Sequence, residues 1–408
     1  MSRFARIVVV ALSVAVVSYV ALGYVLGKTG DDKAYHSLTV YGEVLQHIQQ
    51  DYVEEPNLQL VTSGALHGLL ESLDPLSSYL SPREYAEYKQ KSQKASKGEV
   101  GAVLSKRFGY AIVVSVLPDG PAQKGGLRSG DILEAIAGFT TREMSVGQAQ
   151  ILLAGEPGST VKVFVVRRGR TEPQEVELAR AQLPAVHVVA DKIDPDVAYV
   201  RMATLDASKA NELRDKLAQF DRQGLHKLVL DLRGCAQGSA AEAVAAAQIF
   251  LPSGLITTLR GQTVKRQDFS ADPAKVAWKY PVTVLISSST SGAAEVLASA
   301  LGGNKRAELV GERTYGSASE QRLIELEGGA ALFLTVANYF SPAGRNISDD
   351  GVTPTVEVRT GADDSADAGG GEDRVASEPP ANRAPAPADD PVLRKALELL
   401  KGEVRKAA

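Results

Sequence analysis

The chain has 408 residues, with 45 basic and 49 acidic side chains, five histidines and a single cysteine. That length suits two or three domains with a sizeable core, and a net charge of −4 offers no basic face for nucleic acid. The lone Cys235 excludes an internal disulfide framework and every multi-cysteine zinc site, so no metal and no cofactor is expected.

The first element predicted is a membrane helix. Arg3 and Arg6 precede an uncharged, Val/Ala/Leu-rich run from Ile7 to Gly27, 21 residues long. A helix needs about 20 residues to cross the hydrocarbon core. A cleaved signal has a shorter apolar stretch and a small-x-small site, and this run has neither. Residues 1–28 are therefore expected to be an uncleaved anchor. The basic residues before it and Asp31-Asp32 after it leave the body of the protein outside the cytoplasm.

Residues 33–93 read as helical. Leu38, Val44, Leu45 and Ile48 recur at helical spacing, and a second helix through Leu60, Leu66 and Leu70 stops at Asp74-Pro75. Ser81-Pro82-Arg83-Glu84 opens another, with an N-cap, a proline in the first turn and an acidic third residue. From 94 to 172 the texture changes to short β runs, among them Tyr110–Val116, Ile132–Ile136 and Val161–Arg167. Two short helices, Ala122–Leu127 and Ser145–Leu153, interrupt them, so a small β domain is predicted. From 183 to 360 strands alternate with helices, a β-α-β pattern with a largely parallel sheet closed by an antiparallel pair around Ile324 and Leu332. Residues 361–390 are rich in Ala, Asp, Gly and Pro and read as a disordered linker. Residues 391–404 form a last helix whose Leu393, Ala396, Leu397 and Leu400 make one apolar stripe, expected to dock on a folded domain or a partner chain.

Two groups of motifs carry resemblances. Asp119-Gly120-Pro121-Ala122 followed by Gly125-Gly126-Leu127-Arg128-Ser129-Gly130-Asp131-Ile132 resembles the signature of PDZ domains in bacterial proteases. Such domains add a peptide as a strand and seat its terminal carboxylate on backbone N–H groups. By that resemblance the carboxylate loop is Val100-Gly101-Ala102-Val103. The alternative for this module is a spacer between its neighbours. Leu73–Leu80 (LDPLSSYL), Leu230–Gly234 (LDLRG), Ala294–Leu301, Val310–Gly316 and Gly344–Pro354 then resemble, in order, the motifs of carboxy-terminal processing peptidases, the tail-specific serine proteases. The resemblance spans about residues 35–360 plus the last helix. It implies an α/β core of the crotonase-like, ClpP-like type, with an inserted PDZ domain, an N-terminal helical region and a bacterial, periplasmic setting on the inner membrane.

The resemblance also implies a serine nucleophile and a lysine base. A serine hydroxyl attacks only when a base takes its proton, and a desolvated lysine can serve. The family's serine position falls on Gly292 and its lysine position on Ser317, 25 residues later; the glutamine that supports the lysine falls on Gln321. Ser291 is the fallback nucleophile, expected to aim elsewhere because it lies one residue earlier. Lys305, Arg306 and His226 lack the spacing of a base. The oxyanion turn falls on Gly234 to Gly238, where Gln237 stands in place of a glycine and is expected to alter the turn. Cys235 beside it is either a repurposed thiol or a buried space-filler.

The function expected is a membrane-anchored homologue that binds polypeptide carboxyl termini or unfolded polypeptide without cutting them. One alternative is an active serine endopeptidase with rearranged groups. Another is a structural or regulatory subunit, either in a homo-oligomer or with an active relative.

Overall fold

The computed structural model describes residues 32–93, 98–107, 109–167, 172–359 and 383–407. The predicted anchor lies outside them, and no helix among the described residues is long and apolar enough to cross a membrane. The chain divides into one compact unit ending at Leu66 and a second beginning at His67.

The first unit holds helix α1 (Asp32–Asp51) and most of α2 (Leu58–Glu71), which Asn57 starts by accepting the Leu60 N–H at 3.1 Å. On α1 the side chains of Leu38, Val40, Tyr41 and Val44 are exposed.

In the second unit, β1 (Ser78–Leu80) follows a turn held by Asp74, whose carboxylate accepts the N–H groups of Leu76 and Ser77 at 2.8 and 2.7 Å. The sequence pattern gave no strand here, because three residues are too few to show a period of two. Helix α3 (Pro82–Gln93) has the predicted cap: Glu84 accepts the Ser81 N–H at 2.8 Å while Ser81 accepts that of Glu84 at 3.4 Å.

The β domain comprises β2 (Ala102–Arg107), β3 (Tyr110–Val116), the short helix α4 (Pro121–Lys124), β4 (Ile132–Ile136), β5 (Phe139–Thr140), α5 (Val146–Leu153), β6 (Thr160–Val166) and β7 (Gln174–Ala179). Its sheet runs β2-β3-β4-β6-β7, with β5 beside β4, so β2 is an edge strand. Ser145 and Gln148 form a capping box at the start of α5. Asp131 takes the Arg128 N–H at 2.9 Å and a two-pronged ion pair from Arg167. Leu104, Ala122, Leu127, Ala149 and Val163 are among the buried core.

The large domain follows: β8 (Val189–Asp194), β9 (Val197–Arg201), β10 (Thr204–Leu205), α6 (Lys209–Arg222), β11 (Lys227–Asp231), β12 (Gln237–Gly238), α7 (Ala240–Gln248), β13 (Leu255–Arg260), β14 (Gln267–Ser270), β15 (Val282–Ile286), α8 (Ala293–Gly303), β16 (Glu308–Gly311), β17 (Ser319–Glu325), β18 (Ala331–Phe340), β19 (Val356–Glu357) and α9 (Pro391–Ala407). The main sheet has the order β19-β16-β15-β11-β9-β8, parallel except for β8. Burial on both faces explains its unbroken apolar strands. The antiparallel pair is present, with Ile324 opposite Leu332. It does not close the main sheet, however. It joins β1, β13 and β14 in a separate antiparallel sheet, since β18 is long enough to pair along both edges.

The other face of the main sheet is covered by the last helix. Val392, Leu393, Ala396, Leu397 and Leu400 pack against Tyr199, Val229, Leu285 and Val310. The apolar stripe thus docks on this chain's own core. Of the predicted linker, 361–382 lie outside the described residues; in its last part Ala384 packs on the same cluster and Asp390 is buried.

Candidate active site

The segment after β15 is a strand-to-helix turn built from hydroxyls and glycine. Ser287 N donates to Thr290 Oγ1 at 3.0 Å, and Thr290 Oγ1 donates to the Leu232 carbonyl at 2.9 Å. Ser291 N donates to the Cys235 carbonyl at 2.9 Å. Gly292 then takes φ 60°, ψ −118°, and α8 begins at the next residue. A side-chained residue pays strain in that conformation and glycine does not. A sharp, strained strand-to-helix turn is the backbone of a nucleophile elbow. A Cβ added at Gly292 would meet nothing within 4 Å, so the space is open and no side chain enters it from this position.

One residue ties this turn to the backbone of Gly316 and Ser317. Glu295, in the first turn of α8, is fully buried. Its carboxylate accepts N–H groups from Gly292 at 2.8 Å, Gly316 at 2.6 Å and Ser317 at 2.8 Å, together with the Thr314 hydroxyl. Burial raises the Glu295 carboxyl above the usual glutamate value, and the four donors oppose that rise. The sequence reading gives Glu295 no role of its own, only a place inside the Ala294–Leu301 motif. A lone acidic residue at the start of an otherwise apolar helix was the available signal.

Ser291 does not aim away. It lies before the helix, so helical spacing does not govern it, and its hydroxyl meets that of Ser317 at 2.5 Å. The group facing the fallback nucleophile is therefore a second hydroxyl and not a base. Lys305 lies beyond the far end of α8. Arg306 is spent on the carbonyls of Phe250, Trp278 and Tyr280, and His226 stacks on Tyr280 with ring centres 4.3 Å apart. Gln321 donates to the Leu76 carbonyl at 2.8 Å, on β17.

The turn after β11 keeps glycine where its backbone requires it. Gly234 has φ 74° and Gly238 φ 134°; a Cβ at Gly238 would lie 2.3 Å from the Leu205 carbonyl oxygen. Gln237 is outside the left-handed region and pairs with Thr204 in the parallel β10–β12 bridge, so replacing glycine there leaves the backbone unforced. Cys235 is fully buried, and burial pushes its thiol up, which disfavours the thiolate that a nucleophile requires. Arg233 before the turn pairs with Asp231, whose Oδ2 also accepts the Tyr199 hydroxyl at 2.8 Å. Burial would raise the Asp231 carboxyl, but the charge and hydrogen bonds of Arg233 hold it below the usual range.

The β domain lies directly against this turn. Ser115 Oγ donates to the Gly234 carbonyl at 2.5 Å, and the Arg107 guanidinium sits 5.3 Å from the centre of the Tyr315 ring. In the loop before β2, Gly101 has φ 77°, the Val100 carbonyl accepts the Ala122 N–H and the Gly101 carbonyl accepts that of Leu117, both at 2.7 Å. The loop's carbonyls are engaged inward. Ala102 and Val103 enter β2, which is paired on one side with β3. Beyond them, buried Lys106 ties β2 to the carbonyls of Arg142 and Met144 before α5 and to Glu71.

Comparison with known proteins fits this geometry. The profile described as peptidase family S41 matches residues 196–358, and that of the PDZ domain matches 112–168. A carboxyl-terminal-processing protease of Synechocystis sp. is 30% identical over 319 residues, 75% of this chain and 73% of that one. This chain belongs to the carboxy-terminal processing protease family. A family member from Bartonella bacilliformis is 28% identical over 348 residues, covering 84% of this chain and 79% of its own. Among solved structures, a photosystem II D1 C-terminal processing protease aligns with a TM-score of 0.66 at 26% identity, over 78% of this chain and 92% of that one. The mixed α/β peptidase fold, the PDZ domain and the N-terminal helices are those of the family.

If Glu295 is the pivot of the frame, Glu295→Gln should be costly. An amide offers one acceptor oxygen and turns its two N–H bonds toward donors. Leaving buried donors unpaired costs about 1–3 kcal/mol, and urea unfolding should show at least that loss.

Proposed function

We propose that this family member binds polypeptide carboxyl termini and does not hydrolyse them. The observation that carries this reading is Gly292: the elbow's backbone is present, and its side chain is absent. The Ser291–Ser317 hydroxyl pair supports it, since among the described residues the side chain hydrogen-bonded to the Ser291 hydroxyl is another hydroxyl and not a base. The relatives are named for carboxyl-terminal processing, and a retained PDZ domain with β2 at the sheet edge suits capture of chain ends by strand addition. The rival reading, a serine endopeptidase acting through Ser291, has a buried hydroxyl at the elbow in its favour, but among the described residues the hydrogen-bond partner of that hydroxyl is Ser317 and not a basic group. Purified protein incubated with an unfolded polypeptide should yield no cleavage products. Turnover abolished by Ser291→Ala would overturn the proposal and assign catalysis to that residue.

The Val100–Val103 loop is the proposed seat of the terminal carboxylate. Peptides with a free carboxylate and an apolar last residue should bind, and amidating that end should weaken binding at least about tenfold, as expected when a charge-assisted hydrogen bond is removed. Equal affinity for acid and amide, measured by calorimetry, would show that the loop does not read chain ends.

The Ile7–Gly27 run supports an inner-membrane anchor with the body in the periplasm or another extracytoplasmic space. The exposed Leu38, Val40 and Val44 of α1 support assembly with a second copy or an active relative. Native mass spectrometry of protein released from membranes in detergent reads both features. Residues 1–27 should be retained, and the mass should exceed that of one chain. A soluble single chain beginning near residue 28 would refute both.

A further inference from the structure

The last helix is separated from the rest of the core by a long stretch of sequence, yet its first turn reaches the turn beside the elbow. Arg233 directly precedes Gly234. Its Nη1 and Nη2 donate to the two carboxylate oxygens of Asp390 at 3.1 and 2.7 Å. Its Nε and Nη2 donate to Asp231 at 3.0 and 2.6 Å. Asp390 Oδ1 also accepts the N–H groups of Val392 and Leu393 at 3.0 and 2.9 Å, so the same carboxylate caps α9. All three charged groups are buried. The guanidinium is therefore shared between a carboxylate fixed in β11 and one that arrives only when α9 docks.

The consequences pass along the turn. The Gly234 carbonyl holds Ser115 of the PDZ domain, and the Cys235 carbonyl holds the Ser291 N–H. We propose that α9 is a latch on this turn, with Asp390 the positioning residue that acts through Arg233. With the helix docked, Arg233 is held from both sides and the turn keeps its contacts to the PDZ domain and the elbow. With the helix released, a buried cation loses one of its two partners, and the turn relaxes to find others. The proposal concerns the frame of the site and stands whether or not the chain cuts peptides.

The chain supplies its own reporter. Cys235 is the one cysteine in the sequence and is fully buried within this turn. Alkylation of the native full chain by a small maleimide therefore measures how often the turn opens. Removing one partner of a buried ion pair is strongly unfavourable, and Asp390→Asn should accelerate alkylation roughly a hundredfold. Asp390→Glu, which keeps the charge, should restore most of the protection. Leu400→Ala loosens the same helix at a distance from Arg233 and serves as the control. The proposal is overturned if Asp390→Asn leaves the rate unchanged. It is equally overturned if Asp390→Asn and Leu400→Ala accelerate alkylation only in proportion to their loss of global stability in urea. Should Asp390→Asn not fold, hydrogen exchange on the unmodified protein decides. The Ser291 and Val392 amides should open together, with one shared dependence on urea weaker than that of global unfolding. Independent opening of the two would refute the latch.

Discussion

The buried carboxylate of Glu295 holds together two segments that the chain brings from different places. It receives the backbone of the elbow on one side and the backbone of residues 316 and 317 on the other, with the Thr314 hydroxyl between them. A buried charge is tolerated only when its lone pairs are fully engaged, and here four donors engage them. The geometry of the site is therefore set by a backbone-to-carboxylate network and not by the side chains at positions 292 and 317. That explains how the frame holds with glycine at 292 and serine at 317.

Much of the architecture was legible in the sequence because it rests on local rules. Periodicity marked the helices, and the capping residue Ser81 stands where the structure uses it. Apolar runs marked the strands buried on both faces. What was not legible depended on contacts between distant segments. Gln237 looked like a damaged turn, but the left-handed conformations fall on Gly234 and Gly238, and only the folded backbone shows which positions need them. For Ser291 helical spacing was the wrong guide, because the helix begins only at Ala293. Asp390 was read as part of a linker because its composition is that of one; its partner Arg233 lies 157 residues away.

The PDZ domain and the peptidase-like domain share a contact with chemical direction. The Ser115 hydroxyl donates to a carbonyl of the turn, so strand β3 and the turn constrain each other through one short hydrogen bond. On the neighbouring strand, Arg107 lies over Tyr315, close in sequence to the segment that Glu295 holds. The edge strand β2 and the elbow thus belong to one continuous arrangement of backbone and side chains.

The conformation of Gly292 has an energetic corollary. At φ 60°, ψ −118° any residue with a Cβ carries strain, on the order of 1–3 kcal/mol. A chain with glycine there is relieved of that strain while keeping the elbow. Of two otherwise equal chains, the one with glycine here is the more stable, even though the space for a side chain is open. The turn's own backbone preference therefore holds glycine at this position.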